Sequence, residues 1–525
     1  MGQTKREIER KYDVGAPNLA LPDLTGVAGI AQVLDKGVVD LDAVYYDTAD
    51  QALLASSITL RRRTGGDDAG WHLKLPVSLA EGVRDEVHAP LSDAVPRALS
   101  GLVRSRVRDA ELAPVVRLLS ARDLSHLVDD KGTLLAELSV DRVRAERLGE
   151  GGGTAEWAEI EVELADEADP ALLDKVEKRL RKAGVERSTS ASKLGRAFAE
   201  TAPKERKKNK SKGGKKAAKA PEAAAAESTP VTAADHVLAY LRTQRDALVA
   251  LDPDVRRDLP DSVHQMRVAT RRMRSAFRSY GKLLDRAVTD PIGEELKWLA
   301  GELGVDRDQE VLTERLTARI AALPRTLLLG PVRGRLRIWT VARRSGSRRR
   351  TVAVLDGKRY LALLESLDAL LADPPLLRKA AAAPAADALP KAVLKDYDRL
   401  AGRVEHALAL PPGGERDLAM HEARKAAKRA RYAGEAATPA LGRPAKRFAK
   451  RMKAVQTVLG DHQDSVVARD ALRNLAIQAH TAGETAFTWG LLYGQEESAA
   501  ADRERELPEV WAQASQGKLR AALEG

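Results

Sequence analysis

Two kinds of hydrophobic periodicity divide this chain. Up to about residue 200, apolar and polar positions alternate in short runs: VYYDTAD (44–50), ITLRRRTGG (58–66), WHLKLPV (71–77), TLLAELSVDRV (133–143) and WAEIEVEL (157–164). Alternation with period two predicts strands. PALLDKVEKRLRKAG (170–184) breaks the pattern as a helix stopped by Gly184. Beyond residue 230 the period lengthens to that of helices, in AADHVLAYLRTQRDALVAL (233–251), DSVHQMRVATRRMRSAFRSYGKLL (261–284) and RYLALLESLDALLA (359–372). Between the halves, APKERKKNKSKGGKKAAKAPEAAAAESTP (202–230) offers almost nothing to bury. It reads as a disordered linker, with loose polyanion binding by its lysines as the other reading. The expected domains are 3–200, mostly β with a few helices, a linker at 201–229, and 230–520, all-α.

In a strand, alternate side chains share a face. Glu159, Glu161 and Glu163 oppose Ile160, Val162 and Leu164; Arg61 and Arg63 oppose Leu60; Lys74 opposes Leu73 and Leu75; Arg84 and Glu86 share a face opposite Val83, Asp85 and Val87. REIERKYDV (6–14) spaces Glu7, Glu9 and Lys11 by two. Each strand alone fits an antiparallel sheet with one wet face. Together, acids cluster near both ends of this half and bases between them. If the sheet closes, a carboxylate patch faces a cationic one inside. Carboxylates hold hard divalent ions, and Arg and Lys bind the phosphate oxygens that complete the ion's shell.

The helical half repeats itself. HQMRVATRRMRSAFR (264–278) and HEARKAAKRARYAGE (421–435) both fit H-x-x-R-x-x-x-[KR]-R-x-R, 157 residues apart, and Gly304 and Gly460 repeat at an offset of 156. On a helix His264, Arg267, Arg271, Arg274 and Arg278 fall within roughly 80° and form a stripe about 21 Å long. Met266, Met273, Phe277 and Tyr280 lie opposite. The second stripe is His421, Arg424, Lys425, Lys428, Arg429, Arg431 and Tyr432. The first stripe has no acid at i+4 to relieve it, so an extended, repeating anion fits better than a solvated face. Asp308 and Asp464 are placed to orient basic side chains or to cap helices. RGRLRIWTVARRSGSRRR (333–350) reads equally as a rim of that site or as a solvated segment.

Composition narrows the choice. The net charge is +11, from 87 Lys+Arg and 76 Asp+Glu, which suits an anionic partner. Aromatics at 4% argue against single-stranded nucleic acid. The absence of cysteine removes disulfides and thiolate chemistry. No apolar run reaches transmembrane length and no signal-peptide core is evident, so a soluble, cytoplasmic protein is expected.

EIERK with YYDTAD, LRRRTGG, WHLKLP, RDE, AELSVDRV, EIEVEL and SASKLGRAF resembles the CYTH superfamily, the triphosphate tunnel metalloenzymes, over about residues 3–200. The resemblance implies an eight-stranded antiparallel tunnel holding Mg²⁺ or Mn²⁺ and cleaving triphosphates or cyclising ATP. It implies Glu7, Glu9, Glu159 and Glu161 as metal ligands, and Lys11, Arg61, Arg63, Lys74, Arg84, Arg122 and Lys193 as phosphate contacts. Glu86, Glu137, Asp141 and Glu163 become further tunnel acids. Alternation does not decide between Arg117 and Arg122. The doubled motif resembles the CHAD domain, the conserved-histidine α-helical domain, from about 229 to 520. That implies two four-helix bundles binding inorganic polyphosphate through His264, Arg267, Arg271, Arg274, Arg278, His421, Arg424, Lys425, Lys428 and Arg431, with Lys446, Lys450 and Lys453 widening the site. The expected activity is hydrolysis of inorganic triphosphate tethered to polyphosphate binding. A non-catalytic polyphosphate-granule protein, an adenylate cyclase and a thiamine triphosphatase stay open, with nucleic acid disfavoured.

Overall fold

The computed structural model describes residues 3–14, 21–78, 82–149, 152–202, 230–344 and 347–524. Contacts divide the chain into two compact units, Met1–Ala218 and Lys219–Gly525. The expected linker lies, from residue 203 onward, outside the described residues.

The first unit is a closed antiparallel barrel. Its strands are β1 (Gln3–Asp13), β2 (Gln32–Asp47), β3 (Thr59–Thr64), β4 (Gly70–Ser78), β5 (Val83–Ala89), β6 (Ala113–Val128), β7 (Leu134–Arg147) and β8 (Thr154–Leu164). A short β9 (Glu186–Arg187) adds to β1. They run in the order β5-β4-β3-β2-β6-β7-β8-β1, and β1 returns to β5. One half of β1, Gln3–Ile8, pairs with β5, and the other, Glu9–Asp13, pairs with β8. Where the halves meet, Gly82 at φ +71° accepts a hydrogen bond from Glu9 N, and a Cβ on it would lie 2.1 Å from Glu9 O, so only glycine fits.

The apolar faces of these strands point outward, under helices. Leu60, Trp71, Leu73 and Val87 pack with Leu99, Leu102 and Val103 of the helix Arg97–Val107. Tyr12, Ile160 and Val162 pack with Leu172, Leu173, Val176 and Leu180 of Ala171–Lys182, the helix that ends before Gly184 as expected. Each such side chain contributes about 1.5–3 kcal/mol by burial. The barrel therefore draws its cohesion from its outside and leaves its lumen to charged groups. At one end the lumen is apolar instead. The helix Lys193–Glu200, capped by Ser192, sets Leu194 and Ala197 among Tyr45, Val116, Leu118, Val143 and Trp157.

In the second unit the helices Ala233–Arg257, Ser262–Ser279, Arg286–Glu302, Lys358–Ala372, Ala385–Ala409 and Gly414–Leu441 build the larger apolar cluster. A smaller one joins Leu316 and Ile320 to Leu336, Trp339, Leu472 and Trp489. The long helices Arg443–Thr481 and Phe487–Ala514 contribute to both. Among the described residues, no helix is long and apolar enough to cross a membrane.

Candidate functional site

Strand register brings the expected residues to one wall. Across β1, β8 and β7, Glu9 faces Glu163, Lys11 faces Glu161, and Asp141 faces Glu159. Across β1, β5, β4 and β3, Glu7 faces Arg84, Lys74 faces Glu86, and Arg61 faces His72. Glu7, Glu9, Arg63, Arg84, Asp141, Glu159, Glu161 and Lys193 are all buried.

The wall is a set of matched charges. Lys193 Nζ lies 2.8 Å from Asp141, 2.8 Å from Glu159 and 2.5 Å from Glu161. Arg122 makes a two-pronged bond to Asp141, at 2.7 Å from both Nε and Nη2, and Nη2 also reaches Glu161 at 2.8 Å. Arg117 points outward to Asp42, so Arg122 is the lumen residue. Lys11 pairs with Glu161 and sits 3.2 Å from Glu9. Lys74 pairs with Glu7 at 2.5 Å and lies 3.8 Å from Glu9 and 3.9 Å from Glu86. Arg61 lies 3.8 Å from Glu86, and Arg63 pairs with Asp68. Arg84 donates to Ala191 O at 2.7 Å. Glu163 and Glu137 stand further out, paired with Lys5 and His126.

These pairings set the protonation states. Burial works against the charged Lys74, Lys193 and Arg122, yet their carboxylates raise all three above their ordinary values. Burial opposes ionised Glu9 too, but Lys11 and Lys74 hold it at about 2. Glu7 goes the other way: burial, with Glu86, Glu163 and Glu9 close by, pushes it up to about 7 despite Lys74. Arg63 is pulled down to about 9 by burial beside Arg61 and Arg122.

Asp141, Glu159 and Glu161 each offer an oxygen within 4.8 Å of the others, a geometry that can hold a metal ion. Glu159 Oε1 is buried and meets Lys193 Nζ at 2.8 Å, and an all-oxygen set suits a hard ion such as Mg²⁺ or Mn²⁺. Asp141 thus stands with Glu159 and Glu161, while Glu7 lies with Lys74 and Glu86 and Glu9 lies between. Sequence reasoning missed His72, which is buried with Nδ1 3.1 Å from Glu86 and Nε2 2.9 Å from Asp68 O. It also missed Tyr45, whose hydroxyl accepts from Arg61 at 3.4 Å, and Trp157, which donates to Glu159 at 2.6 Å. All three lie on inward-facing positions, so alternation would have found them.

In the helical unit the two stripes lie on Ser262–Ser279 and Gly414–Leu441, backed by buried Met266, Met273, Phe277 and Tyr280. The helices are tied together by Arg429 to Arg278 O at 2.9 Å, Tyr280 to Ala433 O at 2.7 Å and Arg272 to Glu435 at 3.1 Å. Arg267, Arg271, Arg424 and Lys428 come close enough to repel one another. Burial and then Arg424 and Arg271 pull Lys428 down to about 7, and burial with Arg267 and Arg424 lowers Arg271. Arg274 is lowered by burial and Arg278. Among the described residues neither Arg271 nor Lys428 makes an ion pair.

The duplication extends to supports. Arg267 bonds Asp308 at 2.9 Å, and Arg424 lies 3.7 Å from Asp464. A Cβ on Gly304 would sit 2.9 Å from Arg267 Nη2, and one on Gly460 3.6 Å from Arg424 Nε. His421 Nδ1 is 2.6 Å from Gln463 Oε1, while His264 borders a pocket of about 380 Å³ with Asp261 and Gln309. Arg431 is held by Glu435 at 2.7 Å, and Lys425 by Glu422 at 2.6 Å. Lys446, Lys450 and Lys453 are exposed along Arg443–Thr481.

Two second-stripe expectations need correcting. Tyr432 is buried beneath Arg272 and Arg431, with their guanidinium carbons 5.8 and 5.4 Å from its ring, rather than on the open face. Arg429 turns to buried Asp396 at 2.7 Å. In the basic segment 333–350, Trp339 is buried and Arg335 pairs with Glu484 at 2.6 Å, so part of it is structural.

Comparison with known proteins agrees with this division. The CYTH domain model matches residues 5–198 and the CHAD domain model residues 239–473. An uncharacterized protein of Mycobacterium tuberculosis (strain CDC 1551 / Oshkosh) is 38% identical over 518 residues, covering 95% of this chain and 94% of its own length. Among solved structures, PptA from Streptomyces chartreusis is 21% identical and covers 54% of this chain and 100% of its own (TM-score 0.46). The CHAD domain from the plant Ricinus communis is 24% identical, covering 56% and 93% (TM-score 0.42). CYTH domains are metalloenzymes that act on triphosphates, as triphosphatases or cyclases. The chain belongs to the proteins that join a CYTH triphosphate tunnel domain to a CHAD domain.

Proposed function

We propose that the barrel hydrolyses inorganic triphosphate and that the helical unit binds inorganic polyphosphate along its paired stripes. The observation that carries the first half is the matching of lumen cations to lumen acids. Asp141, Glu159 and Glu161, with Glu9 and Glu7 beside them, would hold Mg²⁺ or Mn²⁺. When bound, such an ion supplies Lewis-acid polarisation of a phosphoryl oxygen. With the acids so occupied, Lys11, Lys74, Arg122 and Lys193 would be available to phosphate oxygens, together with Arg61, Arg63 and Arg84. These side chains orient the triphosphate and offset charge that moves to the leaving diphosphate. Buried and low in exposure, the wall keeps bulk water from competing for those donors.

The second half rests on Arg267, Arg271, Arg424 and Lys428, four cations whose mutual repulsion an extended anion relieves. This reading places the protein at polyphosphate granules in the cytoplasm. The test is phosphate release from tripolyphosphate, long-chain polyphosphate, thiamine triphosphate and ATP, each with Mg²⁺ and with Mn²⁺. Tripolyphosphate should be cleaved fastest. Cyclic AMP from ATP would favour a cyclase, and no turnover of any substrate would leave a binding protein.

A further inference from the structure

We infer that His72 is a positioning residue of the barrel, one that takes up a second proton when a triphosphate occupies the arginines beside it. The inference rests on the triphosphate reading of the lumen. His72 is 1% exposed on β4, and both ring nitrogens face oxygens: Nε2 lies 2.9 Å from Asp68 O and Nδ1 3.1 Å from Glu86 Oε1. A carbonyl can only accept, so Nε2 donates to Asp68. A neutral imidazole then has no second N–H for Glu86. Without one more proton, two lone pairs are set against each other in a buried site.

The surroundings withhold that proton. His72 lies in register with Arg61 of β3 and with His88 of β5, whose ring meets it edge-on at 5.0 Å. β1 brings Lys5, opposite Glu86, and Glu7, and β2 brings Tyr45 against Arg61. Burial, with Arg61 and Arg63, pulls His72 down to about 4 although Glu86 favours its charge. Lys74, His72 and Arg61 hold Glu86 well below the usual carboxylate range against its burial, so an added proton settles on Nδ1. Arg61 and Arg63 are thus the cations that keep the ring one proton short, and both are phosphate contacts in the proposed function. Anionic oxygens bound to them cancel their effect on His72 and raise its affinity for the second proton. That proton completes a brace. Asp68, in the turn 65–69, pairs through its carboxylate with Arg63, and Glu86 Oε1 lies 3.8 Å from Arg61 and 3.9 Å from Lys74. His72 therefore stands behind three phosphate contacts while both its nitrogens stay on protein oxygens.

The experiment uses the full chain carrying Arg271→Ala and Lys428→Ala, which silences the helical stripes, with Mg²⁺ and diimidotriphosphate, whose P–N–P bridges resist hydrolysis. Calorimetry at pH 6 in buffers of different ionisation heat counts the protons taken up on binding. The count should be roughly one higher in this parent than with His72→Gln added, a difference that removes the analogue's own titration. Affinity in the parent should rise by up to about tenfold more per pH unit, as pH falls, than in His72→Gln. Glu86→Gln separates the proton from the packing: its amide N–H serves Nδ1 permanently, so the contact survives and the extra uptake is lost. Nitrogen NMR on ring-labelled histidine should show His72 pass from one N–H to two on binding. Equal proton counts in the parent and His72→Gln overturn this inference alone, and no binding of the analogue overturns it together with the triphosphate reading. If His72→Gln fails to fold by circular dichroism, Glu86→Gln and the NMR signal decide, and a His72 ring that keeps one N–H in the complex overturns the inference.

Discussion

The barrel lumen and the helical stripes are both lined with arginine and lysine, yet they hold these charges in opposite states. In the lumen, Lys74, Lys193 and Arg122 sit against carboxylates and are raised in pKa, while Arg63, buried beside Arg61 and Arg122, is the exception and is lowered. On the stripes, Arg271 and Lys428 sit against Arg267 and Arg424, Arg274 sits against Arg278, and all three are lowered. Burial opposes charge in both places, so the difference comes from the neighbours. A lumen whose charges already cancel favours a ligand that is itself balanced, a metal with its triphosphate. A groove whose charges repel favours a bare polyanion, which lowers the repulsion at every step along its length.

The largest effect that tests this contrast is in catalysis. Glu159→Gln with Glu161→Gln should reduce metal-dependent tripolyphosphate hydrolysis by about 10²–10³-fold or more. Polyphosphate affinity, read by calorimetry on the same chain, should stay within about twofold if the units bind independently. Conversely, Arg271→Ala with Lys428→Ala should weaken long-chain polyphosphate by about 10–100-fold, the scale of one or two charge-assisted bonds. Turnover of tripolyphosphate should not move, and a parallel fall would break the division of labour.

Exchange in the lumen predicts coupling. Tripolyphosphate should bind more than about tenfold tighter with Mg²⁺ than without, and Mg²⁺ tighter by the same factor with a non-hydrolysed analogue present. Equal affinities would mean that the lumen cations are not tied up by acids. On the stripes, pH is the sharper probe. Lys428 titrates at about 7 in the free protein, and a polyanion favours its protonated form. Affinity should therefore rise several-fold as pH falls from 8 to 6, with proton uptake on binding seen by calorimetry in buffers of different ionisation heat. Lys428→Arg should flatten that slope, since guanidinium stays charged. The smallest effect separates the repeats. Gly304→Ala should weaken polyphosphate a few-fold by displacing Arg267, while Gly460→Ala, with 3.6 Å of room, should change little.

How far the sequence carried these conclusions differs between the units. Alternation sorted lumen from outer face wherever a strand had one buried side, as in 157–164. It failed for the first half of β2, exposed on both faces, and it gave no hint that β2 and β6 run 16 residues each. The membership of the acid cluster was harder still. Asp141 joins Glu159 because β7 lies beside β8 in one register, and no spacing within a single strand encodes that. The pairing of β6 with β7, which sets Arg122 opposite Asp141, separated Arg122 from Arg117. In the helical unit, periodicity found both stripes and their Met-rich backing. It misplaced Tyr432 because only the neighbouring helix, bringing Arg272 over the ring, shows which side is covered.

The divided pairing of β1 bears on how the barrel is made. Glu7 waits for Arg84, and Glu9 waits for Glu163, partners 77 and 154 positions further along. During synthesis one half of this strand must therefore remain unpaired until β5 has emerged, and the other until β8 has, late in the unit. Closure of this kind is slow, because long loops must be ordered before their contacts form. A waiting edge of apolar residues would recruit other chains, but β1 alternates Lys5, Glu7, Glu9 and Lys11 with Arg6 and Arg10, and a charged edge resists such pairing. The residues that line the finished lumen thus also protect the unfinished one from aggregation.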